Sequence, residues 1–99
     1  MIRYVRMASI APGKFGDALA FAKKIEAFIG KQHGVKLEVM VPVGGNPHRI
    51  AWRGEYADLA TMEKFQTKLM ADPAYVKLLS EGGANFIAGS LHDAIWRTV

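Results

Sequence analysis

The feature that most restricts the fold is a hairpin in the middle of the chain. VKLEVMVPV (35–43) and HRIAWRGEY (48–56) are rich in β-branched and aromatic residues and are separated by the four-residue loop GGNP. Closing that loop sets a register. With Val43 opposite His48, Val41 meets Ile50, Val39 meets Trp52, Leu37 meets Gly54 and Val35 meets Tyr56, a nearly all-apolar surface. The other surface pairs Met40 with Ala51, Glu38 with Arg53 and Lys36 with Glu55. Opposite charges falling into line from a register chosen on loop length alone support that register. The apolar surface needs a cover of helices, so Trp52 is expected in the core, with Met40, Arg53 and Glu55 facing away.

The flanking segments supply the cover. IRYVRMASI (2–10) reads as a strand that Pro12-Gly13 ends, although its own alternation leaves open which side faces the core. Phe15, Leu19, Ala22, Ile25 and Ile29 then recur at helical spacing up to a stop at Gly34. Asp58 is placed to cap a second helix with Leu59, Met62, Phe65 or Gln66, and Leu69 on its apolar stripe. Asp72-Pro73 interrupts it and starts a fresh helical segment that Gly82-Gly83 ends, and a last strand spans roughly 89–98. The order β-α-β-β-α-β predicts a ferredoxin-like α+β fold: one domain over 1–99, a four-stranded antiparallel sheet, and both helical regions on one face.

Composition bears on assembly. A 99-residue domain buries only roughly 60–65% of its unfolded surface, yet 51% of these residues are hydrophobic. The surplus, and a sheet face left bare by the helices, predict a homodimer. No apolar run approaches the ~20 residues of a membrane-spanning helix, and the interleaved arginines of MIRYVRMASIAPGK are unlike a secretion leader. With no cysteine, neither a disulfide framework nor a thiolate metal site is available, and a cytoplasmic location is the default expectation. The net charge of +4 is scattered without a basic run, and RIAWRGEY lacks the aromatic pattern of RNA-recognition strands, so no nucleic-acid partner is expected.

Strand four carries the candidate site. Leu91 and Ile95, together with Asp93 and Arg97, share one parity and suit the helix side, which turns Ser90, His92 and Trp96 to the bare face beside Met40, Arg53 and Glu55. His92 is the expected proton-handling group, because imidazole titrates near neutral pH. Arg53, Trp96, Met40, Glu55 and Ser90 are the expected ligand contacts. His33, His48 and His92 have no second ligand at metal-binding spacing, and neither a metal nor a cofactor is expected.

The chain also resembles the dimeric α+β barrel proteins, through APGK (11–14), EYADLATMEKF (55–65), DPAYVKLL (72–79) and FIAGSLHDAIWR (86–97). Among them NIPSNAP-like chains look closest, by the Pro-Gly-Lys entry to helix one and the Gly-Ser ahead of a strand ending Ile-Trp-Arg; antibiotic-biosynthesis-monooxygenase-like domains share the group. The resemblance implies two sheets closing a barrel that binds a small organic molecule. Cofactor-independent oxygenation or isomerase-like chemistry is one implied outcome, and a non-catalytic binding or assembly module the other. The haem-degrading members use a His on helix two and an Asn on strand one. The segment 58–81 has no His and the first strand no Asn, so that activity does not carry over.

Overall fold

Pro12 and Gly13, the latter at φ 74°, turn the chain out of its first strand, and the Lys14 amide closes the turn on the Ala11 carbonyl at 3.0 Å. In the computed structural model, which describes all of residues 1–99, this turn joins β1 (Ile2–Ser9) to α1 (Phe15–His33). The order continues with β2 (Glu38–Met40), β3 (Arg49–Tyr56), α2 (Leu59–Met70), α3 (Pro73–Gly82), a 3₁₀ turn at Gly83–Asn85, and β4 (His92–Arg97). The sheet is antiparallel with strand order β2-β3-β1-β4, the expected ferredoxin-like arrangement. The helix ends follow sequence chemistry. Gly34 closes α1 in the left-handed conformation at φ 67°. Asp58 caps α2 by accepting from the Thr61 amide at 2.8 Å, and Asp72 caps α3 by accepting from the Ala74 amide at 3.0 Å, with Pro73 in the first turn.

The hairpin register is the one expected: Glu38 lies opposite Arg53, Val39 opposite Trp52 and Met40 opposite Ala51. The apolar surface faces the helices, with Ile50 fully buried and the Trp52 indole donating to the Ala22 carbonyl at 3.3 Å. Three details depart from the sequence reading. The second strand stops at Met40 rather than Val43, because Pro42 has no amide to extend the ladder, and Val41 and Val43 are exposed. The face that α1 presents to the sheet is centred on Ala18, Ala22, Ile25 and Ile29, with Phe15 exposed; the two alanines let helix and sheet approach closely. Leu59 is likewise exposed at the start of α2.

The pairing also settles the facing of β1. Ile2, Ala8 and Ile10 are buried, and Ala8 pairs with Ile50, so the even-numbered residues face the helices. An aromatic wall closes one side of this layer. Phe86 meets Phe21 edge-on at 5.8 Å and Trp52 at 5.9 Å. Phe21 in turn lies over Gly82, where a Cβ would come within 2.1 Å of its ring. Gly82→Ala should therefore cost about 1–3 kcal/mol by overpacking, read as a lower denaturant midpoint at unchanged slope. Gly83→Ala, where a Cβ meets nothing within 4 Å, serves as the control and should leave the midpoint unchanged or raise it.

Candidate functional site

Because the even positions of β1 face the helices, Tyr4 and Arg6 face them too, in line with the buried Ile2 and Ala8 of β1 and Ile50, Trp52 and Tyr56 of β3. β4 runs antiparallel beside β1 and sets Asp93 directly opposite Arg6. The Arg6 guanidinium donates from Nε to Asp93 Oδ1 at 2.7 Å and from Nη2 to Oδ2 at 2.9 Å, a bidentate charge-assisted pair. The Tyr4 hydroxyl donates to the same Oδ2 at 2.5 Å, and the Arg6 guanidinium lies 5.7 Å from the centre of the Tyr4 ring. Arg6 holds the Asp93 carboxyl below its ordinary range, chiefly by hydrogen bonding. Burial, reinforced by the bond to Asp93, pushes the Tyr4 phenol up to about 12.

Tyr4 and Arg6, with Asp93 behind them, form the polar end of a cavity of about 400 Å³ between the sheet and the helices. Its walls are mainly apolar and aromatic, supplied by Phe21, Trp52, Phe65, Leu69, Leu79 and Phe86. Two further phenols line it. Tyr75 is held face to face with Phe28 at 6.2 Å and Tyr56 with Phe65 at 5.7 Å. Both rings are buried and burial raises both phenols, with Arg6 exerting an opposing pull on Tyr75. Neither hydroxyl bonds within the chain and neither is fully enclosed, and both tyrosines line the cavity. Volume, apolar walls and a few convergent polar groups are the ordinary properties of a small-molecule site. Ile95 is on the helix side of β4, as expected, but is 50% exposed, and Leu91, which precedes the strand and lines the cavity, is 56% exposed.

Of the residues singled out from the sequence, Ser90 lines this cavity and the others stand on the opposite face of the sheet. His92 is paired in register with Met7, which faces Ala51 and then Met40, forming one row across the bare face of the sheet. Trp96, Arg3 and Glu55 form another row, and Trp96 is 66% exposed. Arg53 pairs with Glu38 as expected. Glu55 bonds to Arg3 and Arg53 instead of Lys36, which lies outside the paired part of β2. Ser90 precedes β4, which begins at His92 rather than at 89, so strand alternation does not govern it. Its hydroxyl accepts from the Ser9 amide at 3.1 Å and donates to the Ile87 carbonyl at 2.6 Å, pinning the loop before β4 to the end of β1. The structure thus keeps His92, Met40, Arg53, Glu55 and Trp96 on one face and sets Ser90 at the cavity rim. Tyr4, Arg6, Asp93, Tyr56 and Tyr75 went unrecognised as a group. The available signal was the shared parity of Arg6 with Ile2 and Ile10, and of Asp93 with Leu91 and Ile95: opposite charges on two core-facing strand positions.

No protein-family model matches the chain, and no curated protein sequence does. Solved structures do share its fold. An uncharacterised NIPSNAP domain protein from Burkholderia xenovorans superposes with a TM-score of 0.84 at 16% identity, over 100% of this chain and 95% of that one. A NIPSNAP family protein of unknown function from Agrobacterium tumefaciens superposes with a TM-score of 0.81 at 18% identity, over 97% and 86% of the two chains. A putative antibiotic biosynthesis monooxygenase from Deinococcus radiodurans gives 0.71 at 12% identity, over 100% and 93%. The fold is therefore that of the group which the sequence resembles.

The three tyrosines of the cavity share a testable property. A spectrophotometric titration should show these phenols ionising above the ordinary value of ~10, with Tyr4 the highest. Asp93→Asn should return the Tyr4 titration part of the way toward the ordinary value, since burial remains while the carboxylate that accepts its hydrogen bond and repels the phenolate is gone. An unchanged titration curve would mean that Asp93 does not hold the Tyr4 hydroxyl.

Proposed function

We propose that this protein binds a small organic molecule in the cavity between its sheet and its helices. The observation that carries this reading is that Tyr4, Arg6 and Tyr75, the last close enough to Arg6 to feel its charge, line a mainly apolar volume of about 400 Å³. The apolar body of a ligand gains by leaving water, at about 25 cal/mol per Å², and the polar end fixes its orientation. The groups that line the polar end hold or polarise an oxygen of the ligand; no carboxylate or imidazole lines the volume. The arrangement therefore favours binding and polarisation over proton abstraction by a neutral base. The putative monooxygenase of the same fold makes oxygenation of a bound organic molecule the first reaction to assay. In a thermal-shift screen of small organic molecules, a true ligand should raise the melting temperature of the wild-type protein. Tyr75→Phe should weaken it about 3- to 10-fold, the worth of one hydrogen bond. Ligands whose affinity is unchanged in both Tyr75→Phe and Arg6→Gln would place binding outside the cavity and remove this reading.

The working unit in this proposal is a homodimer joined through the bare face of the sheet. The support is physical: no helix covers that face, and it presents the 66% exposed Trp96 together with Val5, Met7, Met40 and Ala94. In the dimer His92, Arg53 and Glu55 are enclosed between two sheets, where the linked charges of Arg3, Glu55, Arg53 and Glu38 tie strands together out of contact with bulk water. Sedimentation equilibrium at micromolar concentration should give twice the chain mass of 10.9 kDa. Trp96→Glu should weaken the dimer at least about tenfold; a wild-type monomer under these conditions refutes the interface.

A further inference from the structure

We propose that Asp93 is a specificity-determining residue that makes the cavity select neutral ligands with a hydrogen-bond-accepting oxygen, such as a ketone, aldehyde or amide, and reject carboxylates. The proposal rests on the cavity being a ligand site. Arg6 is the only residue lining the cavity that carries a full charge at neutral pH. An unpaired arginine at the end of an apolar pocket would make it a carboxylate receptor, because the guanidinium fork matches a carboxylate with two parallel bonds. Here that fork is already used. Asp93 accepts from Nε at 2.7 Å and from Nη2 at 2.9 Å, and it accepts a hydrogen bond from the Tyr4 hydroxyl as well, at 2.5 Å. Asp93 does not itself line the cavity, yet its charge cancels that of Arg6 from behind.

What remains available is suited to a single acceptor oxygen. Arg6 Nη1 makes no bond within the chain, and the Tyr75 hydroxyl is likewise unengaged. A ligand carboxylate meets no net positive charge, brings a second negative charge close to Asp93, and loses its hydration among Trp52, Phe65 and Phe86. A carbonyl oxygen has far less hydration to lose and accepts from the same donors. The pair is 36–37% exposed, so water moderates the effect without removing it.

Two probes of nearly the same shape separate the cases: 2-acetylnaphthalene, a neutral ketone, and 2-naphthoate. Titration calorimetry on the full chain at neutral pH should find the ketone bound at least tenfold more tightly than the naphthoate. Asp93→Asn, which frees the guanidinium while keeping the side chain's shape, should improve naphthoate binding at least tenfold and erase or invert the preference. Arg6→Gln/Asp93→Asn, with neither charge, should again prefer the ketone, an outcome that structural damage from Asp93→Asn alone does not predict. Should Asp93→Asn fail to fold, the wild-type preference and the double variant decide. A wild-type protein that binds both probes equally or prefers naphthoate overturns the selection while leaving the cavity reading intact. So does a folded Asp93→Asn variant with its preference unchanged. Failure of both probes to bind any variant counts instead against the cavity as a site for molecules of this kind.

Discussion

The facing of the central strand β1 is the constraint on which everything else turns. β1 is paired on both sides, with β3 and with β4, and a shift of one residue in either ladder would exchange the two faces of the sheet. Its even positions, continued to Ile10 just beyond it, combine the apolar Ile2, Ala8 and Ile10 with the polar Tyr4 and Arg6. The three apolar residues hold the strand against the helices, and that commitment carries an arginine into the same layer. A guanidinium on the core side of a sheet is tolerable only with a fixed partner. The antiparallel β4 provides it at the one position directly opposite, Asp93. Packing and polar chemistry are thus set by a single register.

Much of this was legible in the sequence, for identifiable reasons. Helix ends were marked by local chemistry, as at Gly34, Asp58 and Asp72, where one residue's conformational or capping preference decides the boundary. The hairpin register was legible because both faces reported on it, one through apolar pairing and the other through Glu38 and Arg53. Strand β1 was not, because Tyr4, Arg6 and Ala8 alternate with Val5 and Met7 and neither set is clearly the more apolar. Only the pairing with Ile50 decides the matter, and that contact spans 42 positions of the chain (50 − 8). With the parity of β1 open, Arg6 and Asp93 could not be matched, and the search for a site settled on the face where His92 and Arg53 stand. Ser90 misled for a different reason: its place beside a strand suggested alternation, whereas its hydroxyl is consumed in holding a turn.

The cavity also depends on where side chains are absent. Gly82 admits the ring of Phe21, which with Phe86 and Trp52 forms an aromatic wall. At Gly54, opposite Tyr4, a Cβ would lie 3.0 Å from Leu37 and 3.1 Å from the Tyr56 hydroxyl. Larger residues at these two places would crowd the aromatic side chains that shape the volume, so the site is specified by small residues as much as by those that touch its contents.

The pairing of β1 with β4 joins the two ends of the chain: Ile2 lies opposite Arg97, and the Thr98 amide bonds to the Met1 carbonyl at 3.0 Å. During synthesis β1, α1 and β3 are available long before β4, and contacts between chain ends are also the slowest to close from an unfolded chain. Arg6 therefore waits for Asp93, 87 positions downstream. The polar end of the cavity is thus assembled after its walls: until β4 pairs with β1, the helices and the hairpin surround an arginine that has no partner.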